Sequence, residues 1–202
     1  MIDTLLETIC IKKGYYVIIS TLYDKFKPWS EKGSVYLISD THFDDPDCLA
    51  MDPHWISPEE HIWMINQMVH SNDTLIHLGD VGDPEYIRLI KGYKVLLLGN
   101  HDQSASKFRD YFNEIYEGPL FIAEKILLSH EPVGLPFALN IHGHDHSGTD
   151  RDTDECKHIN LAANVCGYKP ISLGKIIKDG ALSGIAGIHR QTIDRANAKK
   201  YG

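Results

Sequence analysis

The sequence predicts an α/β fold in one domain, and three observations carry that prediction. From Ser34 onward, short apolar runs of strand character alternate with helical patterns. The 202 residues contain no internal repeat, low-complexity segment or linker that would divide them. The composition, 43% hydrophobic and 24% charged, is that of a globular chain able to bury a sizeable core.

Residues 1–33 are expected to form an N-terminal extension, 34–180 the main domain and 181–202 a C-terminal tail. In the extension, an amphipathic stretch around Leu5–Ile11 precedes the β-branched and aromatic run Tyr15–Ile19, a strand. Lys27-Pro28-Trp29 and Gly33 then break the pattern. Val35–Ser39 reads as a buried strand. Ser57-Pro58-Glu59-Glu60 combines an N-cap, a proline at the first helical position and a capping-box glutamate, so a helix is expected over 58–70. Thr74–Leu78 is the next strand, and Asp83-Pro84 opens a helix that Gly92 ends. Lys94–Leu98 is a strand, 104–112 a helix, and 120–123, 125–129 and Leu139–His142 are further strands. Ser172 caps a last helix reaching Lys178.

The net charge of −8 argues against non-specific binding to nucleic acid, which depends on Lys and Arg neutralising phosphates. The four cysteines (Cys10, Cys48, Cys156, Cys166) are far apart with no CxxC pair, so neither a structural zinc site nor a disulfide framework is expected. They read as reduced thiols of a cytoplasmic protein. Lys12 and Lys13 interrupt the one candidate for an export signal, and no apolar run approaches membrane-spanning length, so no membrane association is expected.

Twelve histidines is a high count, and their placement points to chemistry. Clusters of metal-binding residue types follow the expected strands directly: Asp40-Thr41-His42, Gly79-Asp80, Gly99-Asn100-His101-Asp102, His130 and His142-Gly143-His144-Asp145-His146. In α/β sheets, ligands bind beyond the carboxyl ends of strands, where such loops converge. Asp40, His42, Asp80, Asn100, His130, His144 and His146 make seven oxygen or imidazole donors, too many for one tetrahedral ion and suited to two. A two-metal site needs a bridging ligand, which a carboxylate can supply. The absence of a thiolate favours manganese, with iron, zinc, cobalt or nickel as alternatives. His101 is left over, a non-ligating imidazole of the kind a leaving group needs as proton donor.

This ordered series, from Asp40-x-His42 to Gly143-His144-x-His146, resembles the five-block signature of calcineurin-like metallophosphoesterases. The segment Ile159-Asn160-Leu161 through Asn164-Val165 and Lys169-Pro170 is similar to small single-domain bacterial and phage members. The resemblance implies a four-layer α/β/β/α double β-sandwich. It also implies roles: Asp40, His42 and His146 on one divalent (or mixed-valence) ion, Asn100, His130 and His144 on a second, and Asp80 bridging both with an attacking hydroxide. His101 would be the general acid and Asp102 would orient it. Asp44-Asp45 departs from the family, many of whose members carry Gly-His after the first block.

Singly, each motif has a duller explanation, since Asp and Asn are common turn and cap residues and a lone histidine is usually just hydrogen-bonded. Three imidazoles in five residues are hard to explain by packing, and the ordered set outweighs the separate explanations. His54, His61, His70, His158 and His189 are expected on the surface or at caps, His77 in the core or behind the site, and Trp55 and Trp63 in packing. The run Asp150–Glu155 reads as a solvated loop, and the basic tail (Arg190, Arg195, Lys199, Lys200) as exposed. The expected function is hydrolysis of a small phosphodiester, a nucleotide or another low-molecular-weight ester. The alternatives are a phosphomonoesterase on the same core, a non-catalytic metal-binding scaffold, and a nuclease, which the lack of a basic patch disfavours.

Overall fold

Strand pairing explains how sequence-distant clusters reach one place. In the computed structural model, residues 8–12, 15–21, 29–148 and 156–187 are described, the first two segments by backbone alone. A five-stranded sheet is built from β3 (Val35–Ile38), β4 (Thr74–His77), β5 (Tyr93–Leu97), β6 (Glu114–Tyr116) and β11 (Ile171–Ser172). Its order is β11-β3-β4-β5-β6, with β3 to β6 parallel and β11 antiparallel on the edge. The six-stranded sheet contains β1 (Thr8–Lys12), β2 (Tyr15–Thr21), β7 (Leu120–Ala123), β8 (Ile126–Leu128), β9 (Leu139–His142) and β10 (Lys157–Asn160). Its order is β1-β2-β7-β8-β9-β10, and β8, β9 and β10 are parallel neighbours. The N-terminal segment thus joins a sheet, β2 pairing parallel with β7.

Side chains alternate across a strand, and here the alternation sorts them into separate cores. Leu37, Ile76, Val95 and Leu97 of one sheet share a buried cluster with Leu120, Ile122, Ile126, Leu128, Leu139 and Ile141 of the other. Their neighbours Ile38, Leu75 and Leu96 face the opposite way, into a second cluster with Ile62, Ile65, Phe43 and Phe108. Truncating one such fully buried aliphatic residue to alanine typically costs about 2–5 kcal/mol. On the far face of the six-stranded sheet, Phe121 and Leu127 pack with Leu135 and Ala138.

Among the α-helices that accompany the sheets are α1 (Cys48–Met51), α2 (Pro58–Met68) and α3 (Leu173–Lys178). Helix α2 starts as expected, the Ser57 hydroxyl accepting from the Glu60 N–H. The Ser172 hydroxyl likewise accepts from the Lys175 N–H at the start of α3. The helix expected after Asp83 is a 3-10 segment, Pro84–Leu89, because Asp83 Oδ1 bonds the N–H only two residues on and tightens the first turn. The helix expected over 104–112 shrinks to the 3-10 turn Ala105–Phe108. Beyond it the chain turns so that Phe108 and Phe112 both enter the second cluster and the Asn113 N–H meets the Lys94 carbonyl.

Several further placements differ from expectation. His61 is buried, not on the surface: it shares the inner face of α2 with Ile62 and Ile65, its ring 5.4 Å from those of Phe43 and Tyr168. Trp63 lies on the opposite face and is 60% exposed, so it does not pack. His54 and His70 are exposed, whereas His158 on β10 is half-buried. The chain stays packed past residue 180: Ile185 enters the main cluster and its carbonyl accepts from Lys125 Nζ. Asp150–Glu155, with Arg151, and His189 with the basic tail lie outside the described residues. Cys48 and Cys166 are free thiols. No described helix is long and apolar enough to cross a membrane.

Burial pushes the imidazoles of both His61 and His77 down to about 3. Both stay neutral in the fold, while in the unfolded chain they take up protons below about pH 6.5. Their contribution to stability is complete above that pH and lost as pH falls toward 3, at about 1.4 kcal/mol per pH unit for each. Urea unfolding of chelator-treated His61→Leu is therefore expected to lose stability less steeply between pH 6.5 and 4 than the parent. Parallel pH slopes would show that His61 is not held neutral.

Candidate metal centre

Five loops carry the clustered donors, each leaving the carboxyl end of a parallel strand. Asp40 and His42 follow β3, Asp80 follows β4, and Asn100 to Asp102 follow β5. From the other sheet, His130 follows β8, and His144 and His146 follow β9. Because β3, β4 and β5 are adjacent, as are β8 and β9, these ends converge.

Two groups of donors result, and each can hold a metal ion. In Asp40, His42 and His146 the candidate ligand atoms lie within 4.8 Å of one another, and the same holds for Asp80, His130 and His144. Asn100 joins the second group, its Oδ1 lying 2.7 Å from His130 Nε2 and 3.0 Å from His144 Nδ1. Asp80 reaches both groups, its Oδ2 being 3.8 Å from His42 Nε2 and 3.3 Å from His130 Nε2. The first group is largely buried, while His144 and Asn100 leave the second open to solvent.

The carboxylates and rings are aimed by bonds behind them. Asp40 Oδ2 accepts from the His144 N–H, which leaves Oδ1 facing His146 Nε2 at 3.5 Å. Asp80 Oδ1 accepts from the His101 N–H, leaving Oδ2 for the histidines. His42 Nδ1 donates to Asp45, His130 Nδ1 to the Leu78 carbonyl and His146 Nδ1 to Asn164 Oδ1, at 3.0, 3.0 and 3.2 Å. Each bond sets the tautomer that presents an Nε2 lone pair to the centre, as metal-ligating histidines require.

Asp40 Oδ1 and His42 Nε2 are buried without a hydrogen-bond partner. An unmet buried polar atom costs about 1–3 kcal/mol, a cost that a coordinated cation removes. The donor set, oxygen and imidazole only, suits a borderline divalent ion. Burial raises the Asp80 carboxyl, but the hydrogen bond and charge of His130, the His101 N–H and the charge of His42 outweigh it and bring it down to about 2. Asp80 is therefore ionised and ready to bind a cation. Burial lowers His130, while the Asp80 bond and the charges of Asp40 and Asp80 raise it further, to a net upward shift.

The backbone is bent to make this possible. Asp40, His42, Asp80 and His144 all have positive φ (55°, 40°, 57° and 68°), a conformation that side-chain-bearing residues adopt rarely. Such strain collects at functional sites. Two glycines give the carboxylates room: a Cβ on Gly143 would lie 2.1 Å from Asp40 Oδ2, and one on Gly99 2.2 Å from Asp80 Oδ1. That is the steric reason for glycine in those two blocks.

His101 is exposed beside this centre, its ring 5.6 Å from that of His42. Asp102 does not orient that imidazole. Its carboxylate accepts from the backbone N–H groups of Asp80, Val81 and Gly99 and so ties the β4 loop to the β5 loop. His77 is wholly buried behind the centre: its Nδ1 accepts from the Gly79 N–H, and its Nε2 donates to the Thr41 hydroxyl, which donates to the Val81 carbonyl. Asp45 and Asn164, which hold two of the rings, were not singled out as site residues in the sequence. The departure at Asp44-Asp45 was their one visible signal, together with Asn164 in the closing segment.

No family model matches the chain. The uncharacterized protein MJ1445 of Methanocaldococcus jannaschii is 30% identical over 168 residues, covering 71% of this chain and 89% of the relative. The crystal structure of the protein of unknown function AQ665 from Aquifex aeolicus is similar at a TM-score of 0.59 and 29% identity, over 72% of this chain and 98% of that one. Pseudomonas putida nuclease MPE reaches a TM-score of 0.42 at 20% identity, over 68% and 72% of the two chains, a likeness too remote to bear on fold or chemistry. At 30% identity over 71% of this chain and 89% of the relative, the chain belongs to the same family as the Methanocaldococcus protein MJ1445.

Proposed function

We propose that the chain is a phosphoesterase of the calcineurin-like metallophosphoesterase type, using two bound divalent ions, with manganese favoured. The single observation that carries this reading is the pair of donor groups meeting at Asp80, with three histidine Nδ1 atoms tethered so that each Nε2 faces inward. The matching fold reading is the four-layer double β-sandwich, supported by a core cluster shared between the two sheets.

In this reading Asp40, His42 and His146 would hold one ion, Asn100, His130 and His144 would hold the other, and Asp80, whose Oδ2 lies near His42 and His130, would serve both. Two such cations, when bound, would supply positive charge to a phosphoryl group and lower the pKa of water. The rest falls to the chain. Asp80 is fixed in orientation by the His101 N–H, so one carboxylate couples the centre to the loop bearing the proton donor. The exposed His101 imidazole delivers a proton to the departing ester oxygen. Asp102 keeps the two loops at fixed separation by its three backbone bonds.

A small phosphodiester is the favoured substrate, and a monoester is the alternative on the same residues. A polynucleotide is disfavoured by the net charge of −8. A non-catalytic scaffold would have no use for a non-ligating histidine beside a complete donor set.

In manganese-loaded protein, His101→Ala is expected to keep two ions per chain by elemental analysis. Its turnover of bis-p-nitrophenyl phosphate should fall about a hundredfold to ten-thousandfold. Near-parental turnover would remove His101 from its role. Asp80→Asn is expected to lose stoichiometric retention of both ions, and two ions per chain in that variant would refute sharing. Asn164→Ala removes the acceptor behind His146 and should weaken one ion by about 10–100-fold in a calorimetric titration, leaving the other near its parental affinity.

A further inference from the structure

Beside the first donor group lies a cavity of about 400 Å³ whose wall includes His42 and its partner Asp45. The rest of the wall is largely apolar, formed by Phe43, Pro46, Leu49, Trp55 and Ile56. The Trp55 ring stands 6.0 Å from that of His42 and 5.7 Å from that of His146, so the indole borders both cavity and donors. Leu49 is 64% exposed, an apolar side chain left in water at this cavity.

The hydroxyls and the thiol of the wall already have partners, whereas the buried Nε2 atoms of His42 and His61 have none. The Thr41 hydroxyl donates to the Val81 carbonyl, the Ser57 hydroxyl accepts from Glu60 and the Cys48 thiol donates to the His42 carbonyl. Among the described residues no lysine or arginine lines the cavity, whereas the carboxylates of Asp44 and Asp45 do, so a second anionic group would be repelled. A neighbouring cavity of about 440 Å³ shares His42, Phe43, Asp44 and Asp45 with it and is lined in addition by Asp83, His101 and Lys107.

We infer that the cavity beside Trp55 binds an uncharged aromatic ester group that stays on phosphorus, so the substrate class is a phosphodiester with one neutral aromatic or heteroaromatic arm. This rests on the phosphoesterase reading above. Stacking on Trp55 and burial against Ile56 and Leu49 reward a flat apolar group. The two carboxylates select against a chain of repeating phosphates.

The test compares two diesters with the same leaving group, p-nitrophenyl phenyl phosphate and methyl p-nitrophenyl phosphate, on the manganese-loaded full chain. The phenyl ester is expected to have a kcat/KM at least about tenfold higher, equivalent to about 1.4 kcal/mol. Trp55→Ala should bring that ratio close to one, Trp55→Phe should keep most of it, and the surface variant Leu49→Ser should lower it. A merely structural Trp55 would slow both esters and leave the ratio intact, which overturns the inference, as does a parental ratio near one. Calorimetry on the same protein compares phenylphosphonate with methylphosphonate. If neither diester is turned over but the phenyl ligand binds about tenfold tighter and Trp55→Ala abolishes that preference, the aromatic site stands and the hydrolase reading fails. Equal affinities of the two phosphonates overturn the aromatic site.

Discussion

The candidate centre depends on one carboxylate. Asp80 is buried, ionised and divided in function, with Oδ1 anchored by the His101 N–H and Oδ2 left between His42 and His130. Burying a charge without compensation is among the costliest choices open to a fold. Here imidazoles from both sheets supply the compensation, so the sheets are joined by the centre as well as by their common core. Asp102 extends this economy: three backbone N–H groups converge on one side chain that never reaches the donor atoms.

Much of the fold was legible because strands buried on both faces leave uninterrupted apolar runs. Thr74–His77, Ile126–Leu128 and Leu139–His142 are buried throughout and stand out as apolar segments. By contrast, β6, β10 and β11 are only half-buried along their length, so no apolar run announces them. The two 3-10 segments carried real start signals. Local bonding and the need to seat Phe108 and Phe112 shortened them, and such tertiary demands do not show in a linear pattern.

The donors that meet in space were legible for a different reason: their residue types are conspicuous directly after strands, where aspartate and histidine in ordered blocks have few other uses. The supporting residues were not. Asp45 and Asn164 act only through the ring of another residue, and a loop aspartate or asparagine has many ordinary roles. Asp102 was placed by motif adjacency to His101, whereas its carboxylate faces backbone. Burial of His61 depended on the phase of α2 relative to Phe43 and Tyr168, which lie far off in sequence.

The left-handed backbone at Asp40 and Asp80 has a practical corollary for mutagenesis. Alanine there would delete the ligand and also destabilise the turn, so an alanine scan would confuse two losses. Asparagine tolerates that region and keeps nearly the same shape, so it isolates the removal of charge. Dissecting these loops therefore calls for isosteric amides, with glycine as the control for backbone freedom.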